Sequence, residues 1–423
     1  MANPYYTTIT FPLETLGSGD TWQLILTLTH NTDGSNASVN AEDQGLLITD
    51  HGKTKWDFNI NDLTLMPGET TLSIADTEDY LHDFLFGISA VALATDKRPK
   101  VDIYLNSAIE FSGYFIEDDV QYNMGTKLLR FSAAPKIDIL KNTPLYDDDD
   151  VYTNPLSYPA LTAERKLIDI VDDIMQYAFP GIVGTVYQYW TFVDVNDDIW
   201  TFSQIYAKLI SFYANGNRHL NDLTEVLREV IQCVCSRLVI CNSSSYLIEK
   251  IGYYDSGDTQ TLTVLDHTKE MLWSQLQYAR FQAWDEVSSQ YDYKTSGTKT
   301  NLESAKIERD FILYTKHNPI DPGVANSIVY SYSGGTYYKI KTACDPMAAP
   351  LCEDLLIVAA ASYVTYRGAS KNMINHKFKC SGVGYVLGKA CVYDSGYYQI
   401  NKMVKDWENG TTDIEAIYCA AVT

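Results

Sequence analysis

Apolar and polar residues alternate with a period of two through much of residues 1–146. Trp22, Leu24, Leu26 and Leu28 fall on one face of a strand whose other face, Gln23, Ile25, Thr27 and Thr29, is half polar. Lys55-Trp56-Asp57-Phe58-Asn59-Ile60 alternates in the same way, and Thr70 to Ala75 reads as a further strand. From Val101 to Leu145 the pattern gives a short strand, a tight turn and a strand ending in Phe111-Ser112-Gly113-Tyr114-Phe115-Ile116. A polar connection, a strand around Leu128, Leu129 and Phe131, and a closing segment from Ile137 to Leu140 complete this block. Asp79 to Leu93 is the one helical stretch expected here. About six or seven short strands predict a small barrel or sandwich.

The pattern breaks at Tyr146-Asp147-Asp148-Asp149-Asp150-Val151-Tyr152, followed by Asn154-Pro155 and Tyr158-Pro159. Consecutive aspartates repel one another and prolines interrupt regular structure, so residues 147–160 are expected to form an exposed linker at a domain boundary. Their oxygen spacing does not match a D-x-D-x-D-G calcium loop with a downstream Glu.

Beyond the linker the period becomes helical. Thr162-Ala163-Glu164-Arg165 is expected to open a helix with Leu167, Ile170, Val171 and Ile174 on its apolar face, ending before Pro180-Gly181. Ile199 to Tyr213 suggests a second helix around Phe202, Ile205, Leu209 and Ile210. The third is the clearest: Asp222 can cap, Glu225 can close a capping box, and Leu223, Val226, Leu227, Val230, Ile231 and Val234 form one stripe. It runs into Ser236 to Cys241, a polar turn Asn242 to Ser245, and Tyr246 to Ile251: helix, strand, turn, strand.

In residues 258–423, Thr261 to Leu265 and Gln277 to Trp284 read as strands, and Asp285 to Asn301 as a polar loop. Ile307 to Tyr314 is short and apolar, and about residues 352–367, CEDLLIVAAASYVTYR, predict an Ala-rich helix. Gly388 to Tyr393, Gly396 to Ile400 and Asp406 to Ile417 predict a terminal β-unit. Tyr-Asp-Ser-Gly at 254–257 and again at 393–396 reads as two tight turns.

Composition narrows the function classes. The chain of 423 residues is 46% apolar and 20% charged, an ordinary globular balance with room for two to four domains. No apolar run is long enough to span a bilayer, and the N-terminus lacks the basic and apolar regions of a secretory signal. A net charge of −22, with no basic run, argues against sequence-specific nucleic-acid binding. It is compatible with lining a conduit for nucleic acid, although solubility alone accounts for it. The 8 cysteines contain no C-x-x-C pair, so structural thiols are expected, Cys233 and Cys235 among them. The 32 tyrosines fit β-structure together with extensive contact surfaces.

No hydrolase, zinc, P-loop or dinucleotide motif occurs. The Gly-rich run Gly382 to Gly388 leads into a strand, away from the helix N-terminus a phosphate site needs. The histidines are scattered, and Asp118-Asp119 and Asp172-Asp173 read as solvated faces. No catalytic residue, no cofactor and no metal site is therefore expected.

Three segments carry a family resemblance. Val101 to Leu145 resembles the first domain of phage tail hub proteins, with a strand, an F/W-x-G, a strand, an acidic turn and a D-x-L-x-x-L-like tail. Asn221 to Ile251 resembles a second hallmark of that family, a capped helix leading to a hairpin. Arg237 and Leu238 are in place, while Ser245 and Tyr246 stand where the family has Gly and Trp. Gly388 to Ile417 resembles the hubs' terminal β-unit. The resemblance implies an α+β, mainly β fold, with several small β-barrel or sandwich domains and an inserted helix-hairpin α/β domain. The expected units are 1–146, a 147–160 linker, 161–257 and 258–423. It also implies a non-enzymatic virion protein, made in the host bacterial cytoplasm and located in the tail. Such a protein is a homo-oligomer, a trimer by preference or a hexamer, contacting other tail or baseplate proteins and ringing the tail axis. It links tail tube to tail tip and frames the DNA exit. A hexamer would favour a distal tail or ring-adaptor protein, and saccharide binding would favour a glycan-binding tail adhesin.

Overall fold

Residues 5–30, 36–59, 63–86, 98–145, 156, 164–186, 191–193, 199–208, 212, 222–234, 236–251, 254, 256–265, 276–280, 286–291, 327–331, 337–342, 355 and 374–422 are described in the computed structural model. The chain is α+β and mainly β.

Alternation along the early strands builds a sheet of 10 strands among the described residues. Its order is Ala37–Asn40, Tyr5–Thr10, Thr21–His30, Lys100–Leu105, Ala108–Phe115, Leu128–Pro135, Thr70–Asp76 and Leu46–Asp50, with Glu14–Thr15 paired beside Thr21–His30 and Gln121–Asn123 beside Leu128–Pro135. Only residues 41–45 separate the two end strands, so the sheet curls around its apolar face. Trp22, Leu24, Leu26, Ile103, Phe111 and Phe131 fill that face, and the rings of Phe115 and Phe131 stack 4.1 Å apart. Asn106 and Ser107 both have positive φ, at 50° and 68°, which makes the tight turn a two-residue hairpin loop of the mirror-image type. Asn106 also holds the neighbouring turn, accepting from the Thr21 amide at 2.9 Å and donating to Asp20 at 3.0 Å.

Gly113 shows why this strand needs its F-x-G. A Cβ there would lie 2.2 Å from the Ala134 carbonyl oxygen and 2.8 Å from the Phe111 ring. Gly113→Ala is expected to cost about 1–3 kcal/mol by overpacking, read as a lower urea midpoint. An unchanged midpoint would show that the neighbouring strand shifts freely.

The second sheet has 11 strands among the described residues and draws on distant parts of the chain. Its order is Val183–Val186, Ser245–Lys250, Ser236–Asn242, Thr64–Pro67, Lys53–Asn59, Gly396–Asp406, Thr411–Ala421, Ile374–Ser381 and Gln277–Arg280. Thr259–Thr261 and Ala390–Tyr393 attach to the side of Gly396–Asp406. The hairpin of Lys53–Asn59 and Thr64–Pro67 thus sits in mid-sheet, parallel to Ser236–Asn242 on one side and antiparallel to Gly396–Asp406 on the other.

Against this sheet pack the helices Leu167–Ala178 and Leu223–Cys233, with the 3-10 segment Lys136–Asn142. Asp222 caps the second helix, its Oδ1 accepting from the Glu225 amide at 2.8 Å. The Glu225 side chain faces Arg228 at 3.5 Å, so the expected capping box closes on one side only.

Several expectations need correction. Glu164–Lys166 is a strand paired with Tyr206–Lys208, and the helix begins at Leu167. The helix expected over 199–213 does not form. Ile199–Thr201 pairs with Thr191–Val193, Phe202–Gln204 is a 3-10 turn closed by a Thr201–Gln204 capping box, and Tyr206–Lys208 is extended. Phe202 and Ile205 are buried, because their spacing of three suits a 3-10 turn as well as a helix. Within the expected polar loop, Glu286–Tyr291 is a strand between Ser327–Ser331 and Tyr337–Thr342. The strand expected over 261–265 lies earlier, at Thr259–Thr261, with a single bridge from Val264 to Cys380. Of the helix expected over 79–93, Tyr80–Phe86 is helical and the rest lies outside the described residues. So do Leu209, Ile210, the apolar 307–314 segment, all of the linker except Leu156, and the 352–367 helix apart from the buried, helical Leu355.

Candidate functional site

The acidic pairs and most of the thiols singled out in the sequence can be placed in the structure. Asp118 and Asp119 lie in an exposed 3-10 turn. Asp172 accepts from the Tyr246 hydroxyl at 3.1 Å, and Asp173 from Arg165. Cys233, Cys241, Cys380 and Cys391 are buried, and Cys419 is half-buried. Burial pushes the thiols of Cys241, Cys380, Cys391 and Cys419 up to about 12, far from a nucleophilic thiolate at neutral pH. Cys235 lies outside the described residues. Among the described residues no three His, Cys, Asp or Glu side chains converge as metal ligands, and no helix is long and apolar enough to cross a membrane. In the Gly-rich run, Gly384 abuts Asp20, where a Cβ would come within 3.3 Å of its carboxylate.

What the fold brings together is a buried charged seam between the two sheets. Lys405, only 2% exposed, projects from Gly396–Asp406 and pairs with Glu110 of Ala108–Phe115 in the first sheet. Its ammonium also lies 5.5 Å from the Trp56 ring centre and 5.9 Å from that of Trp407. Trp407 belongs to the first sheet's core although the second sheet's hairpin carries it. Its indole N–H donates to Thr54 Oγ1 at 3.0 Å, which in turn meets the Thr70 hydroxyl at 2.8 Å.

A second buried charged centre, within the second sheet, is Arg237, also 2% exposed. Its guanidinium pairs with Glu249 on the adjacent strand. Its Nη1 donates to the Ile400 carbonyl at 2.9 Å and to Asn401 Oδ1 at 3.1 Å, and Phe58 lies beneath it at 5.6 Å. Burial holds the Glu249 carboxyl above the usual carboxylate range, against the pull of Arg237. The hairpin that follows the capped helix is thereby bonded to Gly396–Asp406. Trp56 adds a tie of the same kind, donating to the Ile240 carbonyl at 3.2 Å.

Asp20 makes a third link. It accepts from Ser18, Asn106 and the Val383 amide at 2.8, 3.0 and 3.3 Å. Burial raises its carboxyl, but these hydrogen bonds outweigh burial and hold it below its usual value. All three centres join segments far apart in sequence. The polar atoms of the Lys405–Glu110 and Arg237–Glu249 pairs are turned toward one another in the interior, while Asp20 is partly exposed.

The solvent side of the second sheet is an ordered charge pattern. Lys377, Glu415, Lys402 and Asp57 stand opposite one another across four strands, and Lys379, Asp413, Val404 and Lys55 form the next row. A shallow groove crosses these rows, lined by Lys377, Lys402, Val404, Asp413, Ile414 and Glu415. Opposite charges directly across from each other support strand pairing and keep this face wet. Sequence reading had singled out Arg237 but missed Glu249, Lys405 and Glu110. A usable signal was present for one of them: Lys405 lies two residues from both Met403 and Trp407, on an otherwise apolar face.

No family model matches the chain, and no curated protein matches it. Two solved structures are similar over nearly its whole length. One is the tail protein from Neisseria meningitidis MC58, at 8% identity and a TM-score of 0.45, covering 98% of this chain and 96% of that one. The other is the 43 kDa tail protein of prophage MuSo2 from Shewanella oneidensis, at 11% identity and a TM-score of 0.42, covering 88% and 96%. At such identities and scores the likeness carries no weight on function.

Proposed function

We propose that the chain is a non-enzymatic structural protein of a phage tail, a hub that rings the tail axis, links tail tube to tail tip and frames the DNA exit. The observation that carries this reading is the role of Arg237. In the family resemblance it is a hallmark of the helix-hairpin unit, and here it bonds that unit to the C-terminal β-unit. A hub needs such fastening, because it transmits force between rings and has no chemical step. The units 1–146, 161–257 and 258–423, with 147–160 as their linker, are taken as its parts, joined through the second sheet.

The expected result is a trimer when the purified chain is weighed by native mass spectrometry, with ring-shaped particles in electron micrographs. A hexamer would move the assignment to a ring adaptor of the same tail. A stable monomer that binds host surface polysaccharide would overturn the hub and favour an adhesin.

A further inference from the structure

His376 lies on Ile374–Ser381 and is only 4% exposed, and its Nδ1 has no hydrogen-bond partner among the described residues. Aromatic rings surround it. Tyr278 of the neighbouring strand Gln277–Arg280 meets it edge-on at 4.3 Å and 70°, Tyr398 at 4.7 Å and 63°, and Phe378 stacks at 5.5 Å. Tyr278 is itself 60% exposed, because its strand is the last of the second sheet and pairs on one side only among the described residues. Among the described residues this strand is seated by the contact between Tyr278 and the His376 ring, by the pairing of four residues, and by Leu276, which packs on the adjoining core.

We propose that His376 is an acid-sensitive latch for the edge strand Gln277–Arg280: neutral, its ring seats Tyr278, and protonated, it leaves the aromatic pocket and releases the strand. The groups facing it explain the sign. Tyr278 comes from the edge strand, Phe378 from its own strand, and Tyr398, Tyr393 and Asp394 from the adjoining hairpin, with Tyr418 packed behind Tyr398. Ring faces attract a cation, but Nδ1 has no hydrogen-bond partner among the described residues to take the hydrogen of a charged ring. Among the described residues Asp394 is the one carboxylate acting on His376. It sits in an exposed turn, where solvent and salt screen its pull. Lys377 and Glu415 lie on the opposite face of the sheet. Burial accordingly outweighs Asp394 and holds the imidazole below its ordinary value. A group so lowered stabilises the closed state above the free-histidine value of about 6.5, and that stability is lost as pH falls below it. This latch is independent of the tail assignment.

The test is hydrogen exchange, followed by mass spectrometry, at the amides of residues 277–280 in the full chain at pH 7 and pH 5. After division by intrinsic rates, protection is expected to fall by more than about threefold and by at most about thirtyfold in the wild type, since one proton taken up on opening gives up to tenfold per pH unit below about 6.5. In His376→Phe, which keeps an aromatic ring and cannot be protonated, the change is expected to stay under about threefold. His376→Gln, smaller and neutral, serves if the phenylalanine variant does not fold. An equal loss in wild type and variant, or none in wild type, overturns the latch.

Discussion

Arg237→Met is expected to lower stability by about 3–5 kcal/mol at neutral pH, because it leaves Glu249 buried without its counter-charge. The Ile400 carbonyl and Asn401 lose a donor in the same step. The defect should depend on pH. Burial already holds the Glu249 carboxyl high, and removal of the guanidinium raises it further. A carboxyl raised in the folded state favours folding at low pH, and that benefit disappears as pH rises from the unfolded value of about 4.3 through the folded one. Urea titrations at pH 5 and pH 8 should therefore show the smaller deficit at pH 5. The double variant Arg237→Met/Glu249→Leu should recover most of the loss, since an apolar pair can replace a buried ion pair at little cost. A deficit that is equal at the two pH values and survives the double substitution would sink the electrostatic account.

Trp407→Ala should be comparably severe, about 3–5 kcal/mol, the usual range for removing a buried large aromatic. Here the loss falls on both sheets. The indole is fully buried in the first sheet's core, its N–H satisfies Thr54, and its ring lies near the Lys405 ammonium. Trp407→Phe keeps part of the volume and forfeits the hydrogen bond, so it should fall between wild type and alanine. A thermal melt in which the alanine variant loses less than about 1 kcal/mol would mean that the hairpin tip does not hold the first core.

How much of this was legible depended on the range of the interaction. Strands at Thr21–His30, Lys53–Asn59 and Thr70–Asp76 declared themselves by alternation, and the helix at Leu223–Cys233 by its cap and stripe, because those signals are local. The Ile199–Tyr213 stretch misled because Phe202 and Ile205 bury their side chains from a turn. Glu286–Tyr291 was hidden by its polar Ser288-Ser289-Gln290, residues usually read as loop. Pairing partners left no local trace. Nothing near Lys53 indicates that its strand lies beside residues 402–406. The seam was obscure for the same reason: Glu110 looks like a surface charge until two sheets close over it.

The mid-sheet position of the Lys53–Pro67 hairpin sets a timetable for folding. Both of its outer edges are templates that stay open until their partners are made, one near residue 238 and the other near residue 404. During synthesis the hairpin therefore waits with both edges open until residue 238 is made, and with one edge open until residue 404. Contacts spanning so long a separation form slowly, and open edges invite pairing with another copy in the meantime. The lysines at 53 and 55 and the aspartate at 57, which in the finished sheet are exposed and ion-paired, are then the charges that keep two waiting hairpins apart.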